Sequence, residues 1–341
     1  MVVNQNYIKC FMNVLFGTGR DIEALRRVAN NLMKCGLRPN TCRTYSAAQQ
    51  RYTRFCAKYQ LVPLPATEDT ILLYVAFLQQ EGLKASSVKV YLAAVRSLHI
   101  EEGFGNPLED YMRVQRAIKA LEITSNPPVQ KLPITAQIMK ALHMTIPASY
   151  DSAVTWAGMT LGYFGCLRAA EFCVTHGSFD ACLHLTLSDV SLNSAGIPEK
   201  HISVRIKRSK TDKQNKGFVI HMSCTQQSVC CYCAVLQMLE YRKHYRLSEH
   251  NLSPLLLYSS GTAMTRAQFV QQTRLHLALL GMDTKLYSGH SFRAGSATTA
   301  AMNGLPDWQI KLLGRWNSDA YQRYIRTSPT AIAQLSHVLV K

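Results

Sequence analysis

The chain has 341 residues, of which 47% are hydrophobic, a length and composition that fit a folded protein with room for two cores. Its 38 lysines and arginines against 21 aspartates and glutamates give a formal net charge of +17, so a polyanion is the expected partner. The apolar runs are too short to cross a bilayer, which argues against a membrane-spanning protein. The first segment is unlike a secretory signal and the 11 cysteines show no pairing pattern, which argues against a secreted one. A reducing compartment is expected, the nucleus in a eukaryote and otherwise the cytoplasm.

Only helices are predicted for the first half of the chain, after an arm at residues 1–20 that shows no periodicity. Apolar residues at helical spacing predict five helices, at 22–36, 44–60, 68–82, 85–103 and 107–123. Asn40 or Thr41 is expected to cap the second helix and Thr67 the third, because such side chains accept hydrogen bonds from free N–H groups. Residues 21–123 are therefore predicted to form an all-helical domain.

Basic residues recur along these helices and favour a surface that binds nucleic acid. Any one of them could equally belong to an ordinary solvated helix face. The segments near 41–58 and 84–100 are predicted to approach the major groove. The residues assigned to DNA binding are Arg43, Arg51, Lys84, Lys89 and Arg96.

A proline-containing segment, residues 124–135, is predicted to link two domains that close around DNA. Helices predicted at 135–146 and 149–167 are followed by three strand-like segments, at 184–192, 200–208 and 217–223. Helices return at 233–247 and 265–281. The predicted fold is mainly α with a small antiparallel β-sheet, and the second domain extends over residues 136–326.

Three places in this second domain carry residues suited to phosphate chemistry. Arg168 and Glu171 lie three residues apart at the end of the helix predicted at 149–167, a spacing that an ordinary helix salt bridge would share. Lys210 lies in the hairpin between the second and third strands, where a solvated turn lysine is the simpler interpretation. The third place is the stretch 288–326, whose candidate residues are His290, Arg293, Trp316, Tyr321 and Tyr324.

In their order along the chain, these elements resemble the catalytic series of the tyrosine recombinases, the phage-integrase class. The series consists of Arg168 with Glu171, Lys210, His290-x-x-Arg293, Gly314-Arg315-Trp316 and Tyr324. The resemblance covers both halves of the chain, since it implies a helical core-binding domain followed by a catalytic domain of the DNA breaking-rejoining fold. Segments such as LLYVAFLQQEGLKASSVKVYLAAVRSLH and GRWNSDAYQRYIR look more like eukaryotic recombinases encoded by DIRS-type retrotransposons and cryptons than like bacterial chromosome-dimer resolvases.

The resemblance implies site-specific cleavage and rejoining of double-stranded DNA through a 3′-phosphotyrosine, with Tyr324 as the nucleophile. Arg168 and Arg293 would bind phosphate oxygens, because a guanidinium keeps its charge and can donate two hydrogen bonds at once. His290 would help to remove the tyrosine proton, and Lys210 would protonate the leaving 5′ oxygen.

The other implied roles are supporting ones. Trp316 would donate its indole N–H to a phosphate oxygen, and Glu171 would orient the catalytic lobe or His290 rather than react. No metal, cofactor or ATP is implied, because the phosphodiester is exchanged for a phosphotyrosine of similar energy. The implied assembly is a homotetramer on paired DNA sites, and the apolar segment 327–341 is predicted to be a helix that packs on its own domain or is exchanged between subunits.

Two positions depart from the family pattern. Phe292 stands where leucine is more usual, an exchange expected to affect packing only. Trp316 precedes Tyr324 by eight residues, one fewer than expected, which leaves Tyr321 as an alternative nucleophile. Tyr324 is preferred because Tyr324-Ile325-Arg326 matches the sequence that follows the nucleophile in the family.

Cys224, Cys230, Cys231 and Cys233 lie close together near His221, yet they lack two separated CxxC pairs. They are therefore predicted to begin a helix rather than to bind zinc. Two other functions remain open beside recombination. One is a type IB topoisomerase, which uses similar residues, and the other is a domesticated DNA-binding protein that keeps the fold without cleavage.

Overall fold

The computed structural model describes residues 22–125, 130–175, 177–194, 200–210, 212, 214 and 216–325. The predicted arm at 1–20 and the predicted helix at 327–341 lie outside these residues. The chain divides into two compact units, residues 1–128 and 129–341. No helix in the described part of the chain is long and apolar enough to span a bilayer.

The first unit consists of helices, as predicted. Their bounds are α1 Ile22–Cys35, α2 Pro39–Lys58, α3 Glu68–Gln80, α4 Ala85–Glu101 and α5 Met112–Thr124. Thr67 caps α3 by accepting a hydrogen bond from the N–H of Thr70 at 3.2 Å. The predicted cap of α2 was wrong, because the helix begins at Pro39 behind Arg38, and the fixed φ of proline favours a first helical turn. Helix α5 begins five residues later than the predicted start at residue 107.

The core of the first unit is aromatic and aliphatic. Tyr52, Ile71, Tyr74 and Leu78 are fully buried. His99 is buried too, and its Nε2 accepts a hydrogen bond from the N–H of Ala66 at 2.9 Å while Nδ1 lies 2.8 Å from the carbonyl oxygen of Val95. These contacts fix α4 against the segment that leads into α3.

The second unit combines helices with a three-stranded antiparallel sheet, so the predicted fold class is confirmed. The helices are α6 Ala136–Met144, α7 Tyr150–Phe164, α8 Ala169–Phe172, α9 Cys231–His244, α10 Arg266–Leu279, α11 Ser291–Met302 and α12 Asp307–Gly314. The strands, in the order β1-β2-β3, are Val190–Asn193, His201–Ile206 and Phe218–Ser223. A 3-10 helix at Asp319–Arg323 leads to Tyr324.

Helix α7 lies at the centre of this unit and is buried along nearly its whole length. It packs against α9 and α11. Gly162 allows the close approach, since a Cβ there would lie 3.4 Å from Phe172 and from Phe292. The residue that departs from the family pattern, Phe292, is thus a core residue with no exposure.

Two predicted segments differ in the structure. The first strand is shorter than 184–192, because Asp189 accepts hydrogen bonds from Thr186 and folds 187–189 into a 3-10 helix. The end of the predicted linker packs on the second unit. Ile134 is fully buried there, and its N–H donates to the carbonyl oxygen of Ser291 at 2.9 Å. An apolar side chain among the prolines therefore fixes a segment that composition alone suggested was free.

Candidate active site

The site is built around a sharp turn, residues 165–168, between α7 and α8. Helix α7 ends at Phe164, so Arg168 and Glu171 do not lie at the end of that helix as predicted. Arg168 instead precedes the first residue of α8. Its backbone N–H donates to Glu171 Oε2 at 2.9 Å, and its Nη1 donates to Oε1 at 3.0 Å. The side chains of Arg168 and Glu171 are 16% and 3% exposed, so the carboxylate holds the arginine at the edge of the site.

Arg293, in the first turn of α11, is completely buried. Its Nη1 donates to the carbonyl oxygen of Cys166, and its Nη2 donates to that of Gly314 at 2.7 Å. Burial lowers its pKa, and the neighbouring Arg168 adds to this effect, but a guanidinium remains charged at neutral pH. Its Nε has no hydrogen-bond partner among the described residues. This arginine therefore joins the turn before α8 to the end of α12 and keeps one donor unused.

Arg315 is a third arginine of the site, named above in the Gly314-Arg315-Trp316 motif but given no role there. Its Nη2 donates to the carbonyl oxygens of Gly165 and Cys166 at 3.1 and 3.2 Å, so it shares the Cys166 carbonyl with Arg293. Burial, and then the charges of Arg293 and Arg168, lower its pKa. The signal was present in the spacing, because Arg315 precedes Tyr324 by nine residues, the interval that was expected for Trp316.

Trp316 is 8% exposed and packs over the arginine of α11, with its ring centroid 4.2 Å from Arg293 Cζ. The indole Nε1 is buried and has no partner among the described residues. This unpaired donor fits the role predicted for it, since a buried N–H without a partner is costly unless a ligand supplies one. Gly314 makes room for the ring, because a Cβ there would lie 1.6 Å from Trp316 Cζ3.

Replacing Gly314 by alanine should therefore disrupt the site. The added methyl group would push Trp316 away and move the carbonyl that holds Arg293, and overpacking of this kind costs about 1 to 3 kcal/mol or more. Thermal unfolding followed by tryptophan fluorescence measures the loss. Gly105→Ala is the matched control, because nothing lies within 4 Å of a Cβ built there. Equal melting temperatures for the two variants would contradict the packing described here.

The two candidate tyrosines have different surroundings. Tyr324 is half-buried, and its ring centroid lies 5.5 Å from that of Trp316 and 5.8 Å from Arg293 Cζ. Tyr321 is 1% exposed and belongs to a small apolar cluster with Ile310 and Trp316. A hydrogen bond to the Asp307 carboxylate raises the pKa of Tyr321, which disfavours its phenolate. The tyrosine beside the arginines is thus Tyr324.

His290 precedes α11 at the surface of the unit and lies within electrostatic range of four basic residues. Partial enclosure lowers its pKa, and the charges of Arg266, Arg168, Arg293 and Lys210 lower it further. The imidazole is consequently neutral at physiological pH and can accept a proton.

Two lysines of the hairpin between β2 and β3, Lys207 and Lys210, have different surroundings. Lys207 is largely buried, with Nζ 2.7 Å from Asp189 Oδ2 and 2.9 Å from the carbonyl oxygen of His184. Lys210 is exposed and lies near enough to affect the pKa of His290. Lys207 thus has a structural role, and the assignment of Lys210 as the proton donor stays a prediction.

The basic residues assigned to DNA binding are not equally available. Arg51 contacts Glu81 Oε2 at 3.3 Å and lies over the rings of Phe77 and Tyr91, and Lys89 is paired with Glu122. Arg43 donates to Asn40 Oδ1 at 2.8 Å from an exposed position. Lys84, directly before α4, and Arg96, within α4, are both exposed. Arg51 therefore packs on the first unit, and its assignment to DNA binding stays a prediction.

The chain is similar to known recombinases in sequence. Residues 29–101 match the family model described as phage integrase, N-terminal SAM-like domain. A curated relative, an integrase/recombinase xerD homolog of Selenomonas ruminantium, is 24% identical over 307 residues, which cover 84% of this chain and 81% of the relative.

Solved structures show the same fold. The XerH site-specific recombinase, in a post-cleavage complex with palindromic difH substrate, matches with a TM-score of 0.60 at 12% identity, over 88% of this chain and 80% of that one. The Tn1549 transposon integrase in complex with circular intermediate DNA matches with a TM-score of 0.57 at 12% identity, over 88% and 94% of the two chains. A lambda integrase dimer bound to a COC′ core site matches with a TM-score of 0.53 at 16% identity, over 89% of this chain and 94% of that one.

The resemblance to the tyrosine recombinases is confirmed. Sequence and fold together point to site-specific recombinases and integrases of this family. The finer resemblance to DIRS-type and crypton tyrosine recombinases stays a prediction. The roles of the individual residues also remain predictions, and the geometry above gives them a physical basis.

Proposed function

We propose that this chain is a site-specific DNA recombinase that cuts and rejoins strands through a covalent bond between Tyr324 and a 3′ phosphate. The observation that carries the proposal is the convergence of Arg293 and Arg315 on one carbonyl, beside Arg168 and under the ring of Tyr324. Its relatives include recombinases whose structures contain DNA, and the net charge of +17 suits the same partner.

The proposed reaction follows from the charges. A phosphodiester under attack by an oxygen gains negative charge on its non-bridging oxygens, and fixed guanidinium groups stabilise that charge without reorganising. Attack by the Tyr324 hydroxyl forms the O–P bond, breaks the bond to the 5′ oxygen and transfers the phenolic proton to His290. Lys210 donates a proton to the leaving 5′ oxygen. The reverse sequence rejoins a strand, and neither step consumes ATP or requires a metal ion.

The assembly proposed is a homotetramer on paired DNA sites. Exposed apolar residues on α11 and α12, namely Met302, Trp308 and Leu312, would receive the apolar segment 327–341 of a neighbouring copy. These three residues are 63%, 63% and 71% exposed.

The experiment that tests the function is a covalent trap. DNA is first selected by binding from a random-sequence pool and rebuilt as nicked duplexes. After cleavage, the short downstream fragment with the new 5′-hydroxyl diffuses away, so the tyrosyl adduct persists. A protein–DNA adduct that survives denaturation and is sensitive to protease is the expected result. Binding without any adduct would support a catalytically silent protein, and relaxation of supercoiled plasmid by the monomer would support a topoisomerase.

Lys210→Ala should slow cleavage by about 10²- to 10⁴-fold, the usual contribution of a general acid. A substrate whose 5′ bridging oxygen is replaced by sulfur should be cleaved by the variant almost as well as by the native chain, because a thiolate leaves without a proton. Arg208→Ala, which changes an exposed neighbour in the same hairpin, is the control. Failure of the sulfur substrate to rescue Lys210→Ala would rule out the assigned role.

Arg315→Ala should lower the rate of adduct formation by about 10²-fold, since it removes one donor from the developing charge. Arg315→Lys keeps the charge but not the planar pair of donors, and we expect an intermediate rate. Thermal unfolding of both variants separates this effect from loss of the turn. Native rates in a folded Arg315→Ala protein would exclude the residue from the site.

A further inference from the structure

Three cysteines outside the proposed site lie together where β3 passes into α9. Cys224 follows β3, Cys230 precedes the first residue of α9, and Cys233 lies in its first turn. Their Sγ atoms are 3.6 Å apart between Cys224 and Cys230 and 3.7 Å apart between Cys224 and Cys233. All three sulfurs lie within 4.8 Å of one another. Cys231, between them in sequence, is buried in the apolar core instead.

These separations match the edge of a metal-centred tetrahedron. With Zn–S bonds of about 2.3 Å, two thiolates on one zinc ion lie about 3.8 Å apart. A disulfide, by contrast, joins two sulfurs at about 2.05 Å and leaves the third without a role. The equal spacing of Cys224 from two partners therefore fits a shared cation better than a single covalent pair.

The backbone around Cys230 is arranged to support a thiolate. The N–H groups of Thr225 and Cys233 lie 3.4 and 3.5 Å from its Sγ and donate to it. Such N–H donors are the usual outer partners of metal-bound sulfur.

We propose that Cys224, Cys230 and Cys233 form a site for a thiophilic divalent cation, with Zn²⁺ as the fitting ion. The fourth position faces solvent, because Cys233 is exposed and Cys224 partly so, and a water molecule completes the tetrahedron there. Cys224 is fixed to the sheet, since its N–H donates to the carbonyl oxygen of Lys200 at 2.7 Å. The ion consequently ties β3, which returns from the lysine hairpin, to the helix that packs on α7.

Sequence reasoning assigned these cysteines to a helix start because it looked for two CxxC pairs. Cys230 and Cys233 form one such pair, and the fold brings Cys224 to it from six residues away. The site is independent of DNA cleavage, so its test does not depend on the proposed function.

The test uses the full chain, purified with reductant and stripped with a chelator, and Co²⁺ as the probe. One Co²⁺ per chain, with thiolate charge-transfer absorption and the visible bands of a tetrahedral ion, is the expected result, followed by displacement of Co²⁺ by Zn²⁺. Loss of even an outer partner weakens metal binding 10- to 100-fold, so Cys233→Ser should weaken it by at least about 100-fold. Cys182→Ser, at an exposed free cysteine, is the matched control and should bind as the native chain does.

Circular dichroism and the independent variant Cys224→Ser guard against a folding artefact, because both variants must lose the ion while the helical spectrum persists. A native chain that binds less than one tenth of an equivalent of Co²⁺ with its thiols reduced would overturn the proposal. So would Co²⁺ bound without thiolate absorption. Mass spectrometry of chelator-treated protein tests the alternative. A disulfide between Cys224 and either partner, in protein that binds no ion, would assign the cluster to redox chemistry instead.

Discussion

Tyr324→Phe is expected to abolish covalent attachment of the protein to DNA. The substitution removes only the hydroxyl, so the ring keeps its contacts with Trp316 and Arg293. Loss of a nucleophile generally costs as much as loss of the whole catalytic set, which predicts a decrease in adduct yield of at least about 10³-fold. Denaturing gels of the nicked-duplex reaction measure it, and binding of the same DNA should be unchanged.

The matched variant is Tyr321→Phe, which removes the hydroxyl that interacts with Asp307 and leaves a buried ring in place. Adduct formation near the native rate is expected, because this hydroxyl faces a carboxylate rather than the arginines. Mass spectrometry of the native adduct identifies the modified residue directly. Adducts that persist in the 324 variant and vanish in the 321 variant would transfer the nucleophile to Tyr321 and contradict the site proposed here.

Arg168→Ala should lower the cleavage rate by about 10²- to 10³-fold, the cost of removing one fixed donor from the transition state. The Arg168 side chain is more exposed than that of its partner Glu171, and it lies at the edge of the site, where a phosphate could reach it. DNA affinity should fall much less than the rate, because many other cations contact the backbone. Single-turnover cleavage and fluorescence anisotropy on the same duplex measure the two effects separately.

Removing Arg168 also leaves the buried Glu171 carboxylate without its partner, so the double variant Arg168→Ala with Glu171→Gln is the necessary companion. If the rate loss arises from the missing donor, the double variant remains as slow as the single one. Recovery of the rate on neutralising Glu171 would show that the arginine acts only by pairing. Arg274→Ala, at an exposed arginine of α10, controls for the loss of one positive charge.

The sequence predicted the helices well because their apolar residues recur at a strong period and, at α3, the Thr67 capping residue is explicit. It failed where a contact distant in sequence decides the local structure. Arg168 lies in a turn set by carbonyl groups that Arg293 and Arg315 hold from more than a hundred residues away. Ile134 is fixed by the backbone of Ser291 rather than by anything in its own segment. Neither pairing has a signature in local periodicity.

Among the candidate residues, the order along the chain indicated which side chains to consider but not how they divide the work. Lys207 and Lys210 look alike in the sequence, and only the ion pair with Asp189 shows that the first is committed to the fold. Arg315 was named in its motif but received no role, because the role was assigned to Trp316 beside it. The grouping of the three cysteines was likewise hidden in the sequence, since Cys224 meets the CxxC pair only after the chain has turned.

Helix α11 holds both ends of the segment that carries the tyrosine. Arg293 in its first turn binds the carbonyl oxygen of Gly314, and Thr298, one turn further on, donates its hydroxyl to the carbonyl oxygen of Tyr324 at 2.9 Å. Placing the Tyr324 side chain in the site of a neighbouring protomer would break both hydrogen bonds, and Arg293 would lose one of its two carbonyl acceptors. If Tyr324 is the nucleophile, these two bonds hold it on its own protomer, so we expect each protomer to cleave the strand that it binds.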